Sequence, residues 1–328
     1  MSSMCSKIKT PSIAGFFLWF VLSAVILLTG CATPQVEQLK KDWPNGISEK
    51  AEIQDVPFYP QEDYECGPAA LAMVFHLAGV HSRPEQLVDQ VYLPGRKGAL
   101  QIEMQVATRR NGLVSYLLSK NISDILKEVA AGHPVIVFQN LSLPIYPVWH
   151  YAVVVGFDKK RNVLILNSGK TAHLEMSLYT FERTWARGDY WAMLVLSPNE
   201  LPVTAEAFSY AQSIIALERN NVKAAQLAYQ TALTKWPEDR TFLLGFGNTS
   251  YALKKILIAK EAYLKAVQFH PQYADAWNNL AQTQFELGEY LQALQSINKA
   301  IAIGGVRVVK YQELKLQIAN AVQTAKKP

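Results

Sequence analysis

Cysteine is scarce in this chain of 328 residues, which holds only three. Three thiols cannot make a disulfide framework, so each needs its own explanation as structural, modified or reactive. Charge of one sign is scarce too: 32 lysines and arginines stand against 27 aspartates and glutamates, a net +5. That excess is too weak for a nucleic-acid footprint, and no nucleic-acid partner is expected. The full glycine-rich phosphate-loop pattern does not occur, and no further transmembrane segment follows the N-terminal apolar run. What remains is an even mixture, 50% hydrophobic and 18% charged. Such a composition excludes disordered, collagen-like and polytopic membrane classes, and the length allows two domains with separate cores.

The N-terminus carries Lys7 and Lys9, no acid, and an apolar stretch from Ile13 to Leu28. At about 16 residues the stretch is short for a span of about 20, and it reads as the core of a secretory signal covering residues 1–30. Its ending, Leu28-Thr29-Gly30-Cys31, resembles the bacterial lipoprotein box. The resemblance implies cleavage before Cys31, acylation of its thiol and a membrane anchor in the bacterial cell envelope. Ala32 in place of Asp favours the periplasmic face of the outer membrane. Cys5 leaves with the signal, and Cys66 is then the one free thiol.

Residues 31–52 are polar, with Pro34, Pro44, Asn45 and Gly46, and predict a tether. From 53 to 200 helical patterns precede strand patterns. Helices are expected at Cys66 to Ala78, Leu100 to Arg110 and Ile122 to Ala131. Strands are expected at Pro134 to Phe138, Tyr151 to Phe157, Val163 to Leu166 and Trp191 to Leu196. That order predicts an α+β domain with an antiparallel sheet.

Over 204–328 the strand signal ends and a period of about 34 residues takes over. Ala225, Ala259 and Ala293 align, as do Tyr229, Tyr263 and Ile297, then Ala232, Ala266 and Ala300, then Pro237, Pro271 and Gly305. Small residues at fixed points let paired helices approach, and the large residue fills the groove between them. The pattern resembles the tetratricopeptide repeat, with units at about 206–239, 240–273 and 274–307 and a closing helix. The first unit departs from it, with Ser209 and Gln212 where the last has Trp277 and Leu280.

Chemistry concentrates around Cys66, in Gln61-Glu62-Asp63-Tyr64-Glu65-Cys66-Gly67-Pro68. A cysteine in the first turn of an apolar helix places its sulfur where the helix dipole favours an anion, which lowers a thiol pKa and creates a nucleophile. Gln61 can offer an amide N–H to an oxyanion, and Gly67 is expected to give a substrate backbone room. Of the six histidines, His76 and His81 read as surface or packing residues, His133 as a loop residue, and His173 as lacking an obvious orienting partner. His270 belongs to the repeats. His150 opens a strand and is the candidate base. An antiparallel return strand brings Asn167 toward it, and the amide oxygen is expected to orient the imidazole.

Gln61, Tyr64 to Ala70, and His150-Tyr151-Ala152-Val153-Val154-Val155-Gly156-Phe157-Asp158 resemble the papain-like C39 peptidase family, known from domains that process bacteriocins after double-glycine leaders. The resemblance implies Cys66 as nucleophile, His150 as general base and then acid, and Gln61 as oxyanion donor. Where that family has Asp-Pro, this chain has Asn167-Ser168-Gly169, with Asp158 as the fallback third residue.

The expected whole is an exported, lipid-anchored cysteine peptidase whose repeats recruit a peptide or protein partner. No metal or other cofactor is called for. Two other functions use the same residues: a non-catalytic peptide-binding scaffold of the envelope, and an acyl or amide transferase working through a thioester.

Overall fold

A computed structural model describes residues 33–60, 66–96 and 98–325. The signal at 1–30, Cys31 and Gln61 lie outside them. The segment expected to be a tether is folded from its first described residues. Pro34–Lys41 forms helix α1, which buries Val36 and Leu39. The carboxylate of Glu182, far along the chain, accepts the backbone N–H groups of Gln35 and Val36 at 3.0 and 2.8 Å. A buried anion at a helix N-terminus satisfies donors that a short helix cannot satisfy itself. Local composition predicts the tether because Glu182 lies 146 residues beyond Val36.

Lys50–Glu52 (β1) then pairs with a long strand of the main sheet. Helix α2 (Cys66–Leu77) buries every residue from Gly67 to Phe75. A helix apolar all round must be covered all round. It lies against α3 (Pro84–Val91), the small ribbon β2 (Tyr92–Leu93) and β3 (Gly98–Ala99), and α4 (Gln101–Arg110). Next come β4 (Val114–Leu117), α5 (Ile122–Ala130), β5 (Val135–Asn140), β6 (Trp149–Asp158), β7 (Val163–Ser168), β8 (Thr171–Ser177), α6 (Leu178–Arg187) and β9 (Ala192–Leu196).

The sheet order is β4-β9-β5-β6-β7-β8, every pair antiparallel, with β1 also on β6. Alternation along β6 divides the core. Tyr151, Val153 and Val155 join the cluster around α2, while Ala152 and Val154 join the cluster on the other face with α5 and α6. Gly156 sits where β1 crosses β6. A Cβ there would lie 2.8 Å from the Ala51 carbonyl oxygen, so the pairing needs glycine. Between Val154 and Gly156 the β6–β7 register shifts by a bulge at Val155.

Beyond Leu201 the chain is helical: α7 (Ala207–Glu218), α8 (Val222–Lys235), α9 (Arg240–Ala252), α10 (Ile256–Phe269), α11 (Ala274–Glu286), α12 (Tyr290–Ile303) and α13 (Val308–Ala325). The aligned alanines and the large residues that follow them are buried. Tyr229 and Tyr263 lie over Gly245 and Gly247, where an added Cβ would be 2.3 and 2.4 Å from the rings. The stack shares a core with the α+β domain. Tyr210, Ile214 and Leu217 of α7 and Tyr229 of α8 belong to one cluster with Val114 and Tyr116 of β4. Helix α7 therefore packs on a strand instead of on a preceding repeat, which explains why the first unit departs from the repeat pattern. The connection is fixed by Glu128, fully buried on α5. Its carboxylate accepts from the Thr204 N–H (2.7 Å), the Thr204 hydroxyl (2.5 Å) and the Val203 N–H (3.3 Å), and meets His133 Nδ1 at 2.7 Å.

Candidate active site

Helix α2 brings Cys66 to the rim of the sheet where β6 begins. The sulfur takes backbone N–H groups from Gly67 and from Tyr151, the residue that follows His150. The Tyr151 N–H is available because carbonyl and amide directions alternate along a strand. Val148 gives its carbonyl to Leu141 on the β5 side, so Tyr151 points the other way, past the last residues of β7. Cys66 thus meets β6 on the side where β7 ends.

Burial dominates the thiol, and desolvation raises its pKa above the ordinary value against the lowering effect of these N–H groups. This corrects the lowered pKa expected from helix position alone. Burial acts on His150 in the opposite sense, holding its pKa down at about 4. At neutral pH thiol and imidazole are therefore both neutral, and among the described residues no hydrogen bond joins Cys66 to His150.

Gly67 has a different role from the one expected. A Cβ at this position would lie 2.6 Å from the Ala99 Cβ and 3.2 Å from the Met104 sulfur. The glycine lets α2 seat against β3 and α4, and it is not kept for a substrate backbone.

His150 Nε2 lies 2.9 Å from the Ser168 hydroxyl oxygen. The residue that meets the His150 ring is thus Ser168 and not Asn167. Asn167 pairs with Val153 across β6–β7, so its side chain shares the face of Val153, opposite to that of His150. There its Oδ1 accepts the His173 N–H at 3.1 Å, and its buried Nδ2 has no partner among the described residues. The bulge at Val155 causes the exchange. An unbroken register would set Asn167 against Val154, on the face of His150; the shift moves Asn167 off that face and Ser168 onto it. Ser168 was missed because a bulge leaves no mark in an apolar strand pattern, although its place directly after Asn167 made it the alternative under a one-residue slip.

The remaining candidates fall elsewhere. Asp158 lies at the far end of β6, where its carboxylate accepts from the Arg161 N–H and side chain. His173 does have a partner, with Nδ1 2.7 Å from Glu52 Oε1 on β1. His76 and His81 meet each other through their Nδ1 atoms at 3.0 Å. Gln61 and Cys31 lie outside the described residues.

Residues 53–193 match the model of the Peptidase_C39 like family. Residues 210–257 and 262–295 match two tetratricopeptide repeat models. Among curated proteins, the human protein O-mannosyl-transferase TMTC3 is 30% identical over 109 residues, which is 33% of this chain and 12% of that protein. The mouse protein of the same name is 31% identical over 94 residues, 29% of this chain and 10% of its own length. The chain thus spans only a small part of these relatives. Among solved structures, a putative C39-like peptidase from Bacillus anthracis aligns with 18% identity and a TM-score of 0.38, covering 45% of this chain and 98% of that one. The yeast Sti1 TPR2B domain in complex with an Hsp70 peptide aligns with 18% identity and a TM-score of 0.32, covering 34% and 97%. The chain thus contains a domain similar to the Peptidase_C39 like family, followed by a region similar to tetratricopeptide repeats.

Proposed function

We propose that the chain is a cysteine peptidase anchored to the bacterial envelope by a lipid on Cys31, at the periplasmic face of the outer membrane, with repeats that recruit a peptide or protein. The observation that carries the catalytic reading is the contact of the Cys66 sulfur with the backbone of Tyr151, one residue from His150. In this reading, Ser168 holds Nε2 and leaves Nδ1 as the ring atom that receives the thiol proton. As sulfur attacks an amide carbonyl, the S–H proton passes to His150 and the C–S bond forms. Helix α2 N–H groups and the Gln61 amide stabilise the oxyanion. The imidazolium then gives the proton to the departing amine, leaving an acyl group on Cys66, which water hydrolyses with His150 as base. Nucleophile and base start neutral, so the proton transfer accompanies attack instead of preceding it.

The test is to incubate the full chain with a peptide mixture and analyse both products and protein by mass spectrometry. Wild type should cut peptides and carry transient acyl adducts on Cys66. Cys66→Ala should do neither, and His150→Ala should lose roughly a thousandfold or more in rate. Complete absence of turnover and adducts in wild type would leave the peptide-binding scaffold. Products joined to an added amine in preference to water would identify the transferase.

A further inference from the structure

The connection between β5 and β6, together with Trp149 at the start of β6, carries six large apolar side chains out of the protein. Leu141, Leu143, Ile145, Tyr146, Val148 and Trp149 are all exposed, with Ile145 and Tyr146 each at 75%. No charged residue interrupts the run from Leu141 to Trp149. The backbone beneath them is well tied. Asn140 Oδ1 accepts the N–H groups of Ser142 and Val148, both at 3.0 Å, and Leu141 and Tyr146 donate to the carbonyls of Val148 and Leu143. Trp149 stacks on Phe138 with ring centroids 5.1 Å apart. The apolar side chains are therefore presented on a built support, and contiguous exposure of this kind marks a contact surface.

The position of α1 points to the occupant. The Gln35 side chain donates to the Lys120 carbonyl and accepts from the Ile122 N–H, and Lys120 pairs with Asp189 at 2.7 Å. Asp189 follows the end of α6, where Arg187 Nε donates to the Asn140 carbonyl at 3.1 Å. Through Lys120 and the end of α6, these contacts link the start of α1 to the base of the apolar loop, on the side where the chain enters the fold. Cys31 stands two residues before Thr33. Two residues span at most about 7 Å, so a lipid on Cys31 holds this side against the bilayer.

We propose that the 141–149 loop docks in the headgroup region of the bilayer, with Leu143, Ile145 and Tyr146 as the inserted residues. The proposal rests on the reading of Cys31 as the lipid anchor. Tyr and Trp beside aliphatic residues are suited to a boundary that is apolar on one side and wet on the other. Because His150 follows Trp149 directly, docking turns the catalytic rim toward the membrane. The substrates this orientation selects are polypeptide segments lying at the bilayer surface.

The test places photoreactive benzoylphenylalanine at Ile145, or at the exposed Leu257 of α10 as a control, in the full chain reconstituted into vesicles of phosphatidylethanolamine and phosphatidylglycerol. Irradiation should give roughly tenfold more lipid adduct from position 145 than from position 257. Equal adducts from the two positions would overturn the docking face, as would adducts from 145 to polypeptide in place of lipid. The mass of the N-terminal fragment reads the anchor separately. An unmodified Cys31 with lipid adduct still concentrated at 145 would remove the anchor and leave the docking face standing. An acylated Cys31 with no preference for 145 would do the reverse.

Discussion

At His150, burial and one neighbour decide what the ring can do. Burial keeps it neutral down to about pH 4, and the Ser168 hydroxyl holds Nε2. Ser168→Ala should lower the turnover rate roughly ten- to a hundredfold and move the acid limb of its pH profile, with partial rescue by Ser168→Thr. Asn167→Ser should leave that limb in place, because Asn167 faces away from the ring. Cys66 gives a second expectation at this scale. Its thiol is raised by burial, so without substrate a small thiol reagent should modify it more slowly at pH 7 than free cysteine. The rate should climb only above the ordinary thiol range of about 8.5. Mass spectrometry of the labelled Cys66 peptide across pH measures this, and fast labelling near pH 6 would contradict it. The places of Cys66 and His150 were legible in the sequence because their context is local: a cysteine opening an apolar helix, a histidine near the start of an apolar strand. The residue that meets the His150 ring was not, because its identity depends on the parity of a strand and one bulge reverses that parity.

Among the elements, the repeats were the easiest to read and α1 the hardest. The repeat signal is written three times, and the same alanines and large residues recur where helices cross. Helix α1 has two buried apolar residues and takes its N-terminal partner from Glu182, so nothing within residues 31–52 announces it. The repeats also carry a packing detail that their small residues foretell only in outline: the ring of Tyr263 occupies the space above Gly247 that a Cβ would need. Gly247→Ala should therefore cost about 1–3 kcal/mol in denaturant unfolding through overpacking. An exposed helix-interior glycine would instead gain stability from the same change, by up to about 1 kcal/mol. The sign of the shift thus tells whether the tyrosine is seated as described.

For the whole molecule, the relation of the two halves was not legible, since no pattern in either half reports that Tyr210 of α7 packs with Tyr116 of β4, ring centroids 6.2 Å apart. Tyr210 is fully buried and its hydroxyl donates to the Glu200 carbonyl at 3.1 Å. Tyr210→Ala should destabilise the chain by about 3–5 kcal/mol. Calorimetry of wild type should give one transition covering both halves, and two well-separated transitions would show that the shared core does not couple them. Coupling has a kinetic meaning for anything the repeats hold. A ligand captured by a flexibly tethered module samples a volume set by the linker, and its effective concentration at a second site falls as that linker lengthens. Here the Glu128 contacts to Val203 and Thr204 and the common core replace the linker with a rigid mount. On the proposed function, a polypeptide captured by the repeats would be presented to the Cys66 rim at one distance and one angle, and the repeats would act as a ruler that determines which of its bonds can reach Cys66.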